Sequence, residues 1–184
     1  MALKATIFKA TLQIADMDRG LYADHGLTIA RHPSETDERM MVRVLAFALW
    51  VPADDHDGML EFAKGLSDTD EPDLWQRDLT GRIVHWVETG QPDDKRLMRA
   101  AGRCDRVSVL GYSASTPIWW SGVATKITRA SNIEVWQLPA EQSQALGTLT
   151  QRTMQLQVNI QEGTVWVSNA THSVELTPVR LNPS

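Results

Sequence analysis

A single cysteine, Cys104, leaves this 184-residue chain unable to close a disulfide on itself or to build a cysteine-based zinc site. No flanking pattern marks it as a nucleophile, so an inert thiol is expected. No run approaches the ~20 consecutive apolar residues of a membrane span, and the opening MALKATIFKATLQIAD lacks a signal-peptide core. A reducing cytoplasm is the expected address, with no membrane partner. Excess positive charge is missing too. The formal net charge is −5 and the pI about 5.5, whereas domains that coat nucleic acid through a basic surface usually exceed pI ~9. A nuclease with a local basic cleft remains compatible with that balance. Neither GxxxxGK[ST] nor GxGxxG occurs, so no organic cofactor is expected. His25, His32, His56, His85 and His172 show no HxxxH or HExxH spacing, which argues against a histidine metal site.

What is present is ordinary globular composition, 42% hydrophobic and 22% charged. The length suits one domain over residues 1–184, or one core with a smaller annex. Strand patterning runs from Leu3 to Ile14 and again over 21–31, across the polar turn 16–20. Ser34 suits an N-cap for a helix over 35–50, whose stripe Met41, Val44, Leu45, Ala48 and Leu49 has helical spacing. Residues 59–67 read as a strand, with a short helix as the alternative. Strands follow at 72–77 and 82–89, then a helix over 93–103 with Asp93 and Asp94 at its positive end. A strand at 106–112, a helix opened by Thr116-Pro117 and a strand at 132–138 form a βαβ unit, which implies parallel partners. The tail is β at 154–160, 165–168 and 174–176, with a turn at Glu162-Gly163. Seven tryptophans are many for this length. The pair Trp119-Trp120 suits base stacking, but neighbours on a helix point about 100° apart, so at least one belongs to the core.

The stretch EPDLWQRDLTGRIVHWVETG carries the candidate chemistry. A hairpin centred on Thr80-Gly81 sets Trp75 opposite Trp86 and Asp73 opposite Glu88, all four on one face. Opposed residues have Cβ atoms about 4.5–5.5 Å apart, so two carboxylates there repel each other unless a cation lies between them. A hydrated Mg²⁺ does this, and so does a lysine or arginine without any chemistry. A register slip of one residue turns Glu88 to the other face. His85 alternates away from Glu88.

The order helix, three strands, helix, strand (αβββαβ) resembles the restriction-endonuclease-like, or PD-(D/E)XK, nuclease core. Pro72-Asp73 supplies the PD, and Glu88 stands at the second acid. Glu88-Thr89-Gly90 departs from the pattern, with glycine where the lysine belongs. Some members carry that lysine on the next helix, where Lys95 stands here. Many also place an acid on the first helix, a position Glu38 fits because it aligns with Met41, Leu45 and Ala48.

A more specific resemblance spans nearly the whole chain. HPSETDERMMVRVLAFAL, KGLS, EPDLW, WVETGQPDDKRLMRA and the tandem tryptophans are similar, in order, to the bacterial YaeQ family. This resemblance implies a compact mixed α/β fold around a variant PD-(D/E)XK arrangement, with extra N- and C-terminal strands, and it brings no established activity.

Two functions follow as expectations. The first is a nuclease or phosphodiesterase acting on nucleic acid, in which Asp73 and Glu88 bind Mg²⁺ or Mn²⁺, Glu38 completes the metal shell, Lys95 stabilises charge on phosphate and Gln91 takes part of the missing lysine's hydrogen bonding. The second is a non-catalytic binding or regulatory protein on the same fold. Each residue also has a plain structural role. Asp73 suits a turn hydrogen bond, Glu88 an ion pair with Lys95 or Arg99, Glu38 the helix dipole, and Lys95 a solvated face. The acidic pI and the missing lysine favour the second function. Three retained acids and a relocated lysine tip the expectation to the first.

Overall fold

Every second residue from Phe8 to Asp16 is buried, and that period of two builds the first strand, β1 (Thr6–Asp16). The structure, a computed structural model, describes residues 4–183. Leu3, the expected start of this strand, lies outside the described residues. A polar turn, closed by Gly20 in the left-handed region (φ 65°), returns the chain as β2 (Leu21–Arg31), antiparallel to β1 along its whole length.

The first helix, α1 (Asp37–Trp50), is capped by Thr36 and not by Ser34. The Thr36 hydroxyl accepts the Arg39 N–H at 3.1 Å, while the Ser34 N–H turns to His32 Nδ1, also at 3.1 Å. The expected apolar stripe is too narrow. Met40 through Ala48 are all buried, Arg43 included, as befits a helix enclosed on every side.

Next come β3 (Leu60–Phe62), β4 (Leu74–Arg77), β5 (Ile83–Thr89), α2 (Asp94–Ala101) and β6 (Cys104–Gly111). The expected order αβββαβ is present. The strand foreseen over 59–67 stops at Phe62, because the Lys64 carbonyl starts a turn by accepting the Ser67 and Asp68 N–H groups at 2.7 and 2.8 Å. After α3 (Thr116–Val123) and one 3-10 turn, β7 (Ile133–Gln137) runs parallel to β6 and completes the βαβ unit. Then α4 (Ala140–Gly147) has no counterpart among the expected elements. Only Ser143 and Leu146 of it are buried, too few to show a helical period. The chain closes with β8 (Thr153–Gln161), β9 (Thr164–Ser168), β10 (Ser173–Leu176) and the short β11 (Val179–Arg180).

Two mixed sheets result, ordered β10-β9-β8-β1-β2 and β11-β7-β6-β5-β4-β3. Because β8 pairs parallel with β1, the C-terminal segment extends the sheet of the N-terminal hairpin, and only β11 crosses to the second sheet. One core fills the space between the sheets around α1 and includes Leu12, Ile29, Leu45, Leu74, Val87 and Leu110. A second core lies on the far face of the six-stranded sheet, where Trp86, Val107 and Val109 meet Leu97 of α2 and Val123 of α3. The layers therefore run sheet, helix, sheet, helix. As strand residues alternate in direction, α1 covers the Val87 face of β5 and α2 covers the Trp86 face.

Candidate functional site

The hairpin of β4 and β5 keeps the expected register over most of its length. Leu74 faces Val87, Trp75 faces Trp86 and Gln76 faces His85, and the two indoles meet edge to face at 6.3 Å. The turn is wider than a simple centre at Thr80-Gly81. A bulge lies between Gln76 and Arg77, and the Asp78 carboxylate accepts from Thr80 N–H, Thr80 Oγ1 and Arg82 N–H at 2.9, 2.6 and 3.0 Å. That hydroxyl and the backbone donors hold the Asp78 carboxyl down at about 2.

At Asp73 the ladder changes character. Its own N–H donates to Val87 O at 3.1 Å. Its Oδ2 accepts the Thr89 N–H at 2.8 Å and the Thr89 hydroxyl at 3.0 Å, so a side chain stands where a backbone carbonyl would continue the strand. Its Oδ1 accepts Arg39 Nη2 at 2.7 Å. Arg39 Nη1 in turn reaches Glu35 Oε2 at 2.8 Å. Glu35 is also gripped by Arg43, with Nε at 2.8 Å and Nη2 at 2.6 Å. Asp73 is thus neutralised from the α1 side by a guanidinium that bridges two buried acids.

Glu88 is neutralised from the opposite layer. The two carboxylates, expected on one face of the hairpin with a cation between them, are instead held toward opposite faces by separate arginines. Its Oε1 accepts Arg96 Nε at 2.5 Å and the Trp86 indole N–H at 2.9 Å. Arg96 comes from α2 and also donates to the carbonyls of Thr69 and Glu71. Burial pushes the Glu88 carboxyl upward; Arg96 opposes that shift and the charge of Asp73 adds to it.

Among the described residues no hydrogen bond or ion pair links Glu38, Lys95 or Gln91 to either acid. Burial raises the Tyr112 phenol most, and the charges of Glu38 and Asp73 both add to that shift. Glu38 is half-buried against α4, close enough that a Cβ on Gly147 would sit 3.1 Å from the Glu38 Cα. Lys95 is exposed on α2. Gln91 is exposed, its amide donating to Ser113 and Ser115 hydroxyls at 2.6 and 2.7 Å. Among the described residues no three His, Cys, Asp or Glu side chains converge where a metal ion could be held. Sequence reasoning did not single out Glu35, Arg39, Arg43 and Arg96. The signal for three of them is the spacing Glu35, Arg39, Arg43, one turn apart each time on one side of a helix.

Beside Asp73 lies a cleft of about 260 Å³ whose walls include His32, Glu35, Arg39, Lys64, Gly65 and Asp73. Gly65 packs directly on the acid, since a Cβ there would fall 2.6 Å from Asp73 Oδ1. Only glycine fits so close an approach.

Three peripheral expectations hold. His85 faces away from Glu88, packs on Trp50 and shares a 2.7 Å hydrogen bond between Nε2 and Ser108 Oγ. Burial, then Arg106, brings its pKa down to about 3, so the ring is neutral. Burial raises the Cys104 thiol to about 11, far from a reactive thiolate. Trp119 and Trp120 both pack against the second core, with the Trp119 indole N–H on Pro92 O at 2.8 Å.

A family model described as YaeQ protein matches residues 1–178. The chain belongs to the YaeQ family. Two relatives described as "Uncharacterized protein YaeQ", from Salmonella typhi and Escherichia coli strain K12, are 42% and 41% identical to it over 177 residues, covering 96% of this chain and 95% of each relative. The crystal structure of YaeQ protein from Xanthomonas axonopodis pv. citri matches with TM-score 0.91 at 49% identity, over 98% of this chain and 99% of that one. YaeQ protein from Pseudomonas syringae matches with TM-score 0.90 at 38% identity, over 98% and 97%. These likenesses establish the mixed α/β YaeQ fold. Among the described residues no helix is long and apolar enough to cross a membrane.

Proposed function

We propose that this YaeQ chain is a binding protein that keeps a nuclease-like core without metal-dependent chemistry. One observation carries the reading: both oxygens of Asp73 and one oxygen of Glu88 already accept hydrogen bonds from the chain itself. Asp73 Oδ1 and Oδ2 are held by Arg39 and Thr89, and Glu88 Oε1 by Arg96 and Trp86. As arranged, Asp73, Glu88 and Glu38 do not fit Mg²⁺ or Mn²⁺. Their partners come from helices on opposite faces of the sheet, and each guanidinium already offsets the charge that a cation would relieve. Lys95 is exposed on α2 and, among the described residues, forms no ion pair with these acids. Removing catalysis leaves a positively fringed cleft beside Asp73 as the natural seat for a ligand.

The test is calorimetric titration of Mn²⁺ into the wild type and Asp73→Ala, with a screen for cleavage of single- and double-stranded DNA and RNA. The binding reading expects no saturable heat and no cleavage. Heat lost in Asp73→Ala, together with cleavage lost in Glu88→Ala, overturns it.

The alternative, a Mg²⁺- or Mn²⁺-dependent nuclease or phosphodiesterase, draws on the field between the two acids. Beyond the effect of burial and against Arg96, the charge of Asp73 still raises the Glu88 carboxyl. In that reading both arginines swing aside as nucleic acid and metal enter, and the same titration gives the opposite result.

A further inference from the structure

The cleft beside Asp73 has a charge balance unlike that of the chain. Arg39, Arg43 and Lys64 face Glu35 and Asp73, one positive charge in excess, on a protein of net charge −5. Arg43 and Glu35 are consumed in each other, the carboxylate side chain being fully buried. Arg39 is not exhausted. Its Nη1 holds Glu35 and its Nη2 holds Asp73, and a guanidinium carries five N–H groups, so donors remain. Its side chain keeps 17% of its surface open. Arg39 lines the cleft together with Asp73 and offsets that carboxylate's charge toward an incoming anion.

Two further donors reach the same space from other elements. Lys64 is exposed on the loop after β3. His32 follows β2, and its Nδ1 is engaged by the Ser34 N–H and hydroxyl at 3.1 and 2.7 Å, so Nε2 is the ring nitrogen left to meet a ligand. Three donor-bearing residues from three segments of the cleft wall suit an oxyanion, and arginine with lysine is a common phosphate-binding pair. The volume, about 260 Å³, lies below the ~300–1,000 Å³ of drug-sized sites.

We infer that this cleft binds the phosphate group of a small ligand through Arg39, Lys64 and His32, an inference that rests on the binding-protein reading. The phosphate is either free or the terminal group of a mononucleotide.

The experiment titrates inorganic phosphate, and separately a nucleoside monophosphate, into the full ¹⁵N-labelled chain while amide and arginine Nε signals are followed. The expected result is saturable shifts at His32, Arg39 and Gly65, with Lys64→Ala weakening binding about threefold to fivefold. Lys9→Ala, on the outer face of β1, changes nothing. Tighter binding of the monophosphate assigns the ligand to nucleotides, and equal binding assigns it to free phosphate; both support the site. Absent saturation, shifts elsewhere, or equal affinity in Lys64→Ala overturns it. Mn²⁺ binding that depends on Asp73 alongside intact phosphate binding would remove the parent reading alone. Silence in both titrations would remove this inference alone.

Discussion

Arg96 Nε lies 2.5 Å from Glu88 Oε1 while its terminal nitrogens reach the carbonyls of Thr69 and Glu71. One guanidinium therefore ties a buried acid of β5 to the loop between β3 and β4. Arg39 does the equivalent on the other face, tying Asp73 to Glu35. The two acids at the heart of the hairpin are each stabilised by a separate arginine.

Removing Arg96 releases that loop. In Arg96→Ala, hydrogen exchange at the Asp68 and Glu71 amides, which close local turns at 2.8 and 3.3 Å, accelerates about tenfold or more, because bonds to a charged donor are lost. Unchanged exchange rates would show that the loop is held by other contacts.

Glu35, just ahead of the α1 cap, and Glu38, in its first turn, differ in consequence. The Glu35 side chain is fully buried between Arg39 and Arg43, so Glu35→Ala leaves the buried Arg43 without its carboxylate and Arg39 with Asp73 alone, at a cost of about 3–5 kcal/mol. Glu38 is half-buried with its backbone against α4, and Glu38→Ala costs about 1 kcal/mol or less. Urea unfolding measures both. Equal losses would contradict the network.

His85 gives the fold a pH dependence of known sign. Its pKa is about 3 in the folded chain, against 6.5 ordinarily, so between these values the unfolded state binds the extra proton. The stability from the neutral ring is complete above about pH 6.5 and is lost as pH falls toward 3, by at most about 1.4 kcal/mol per pH unit. His85→Gln should flatten this slope between pH 4 and 6. A slope that survives the substitution would assign it to other groups.

Much of the fold was legible because it is written locally. The alternation in β1 and β2, the Asp93 cap that accepts Arg96 N–H at 2.7 Å, and the turn at Glu162-Gly163, with φ 52° and 75°, all depend on near neighbours. The burial of α1 on every side was not legible, since it needs β8 from the far end of the chain to complete the sheet above it. The site was half legible. Asp73 and Glu88 are the buried acids of the hairpin, as their setting among tryptophans implied. Their partners depend on which helix face points inward. On α2 that choice puts Arg96 in the position expected of Lys95, while ahead of the α1 cap Glu35, not Glu38, is linked to Asp73 through Arg39.

The most direct test of the central claim is a crystal grown with manganese and measured at the manganese absorption edge. No anomalous peak is expected near Asp73 or Glu88, with Arg39 on Asp73 and Arg96 on Glu88. A manganese ion shared by those two carboxylates, with both arginines turned away, would contradict it.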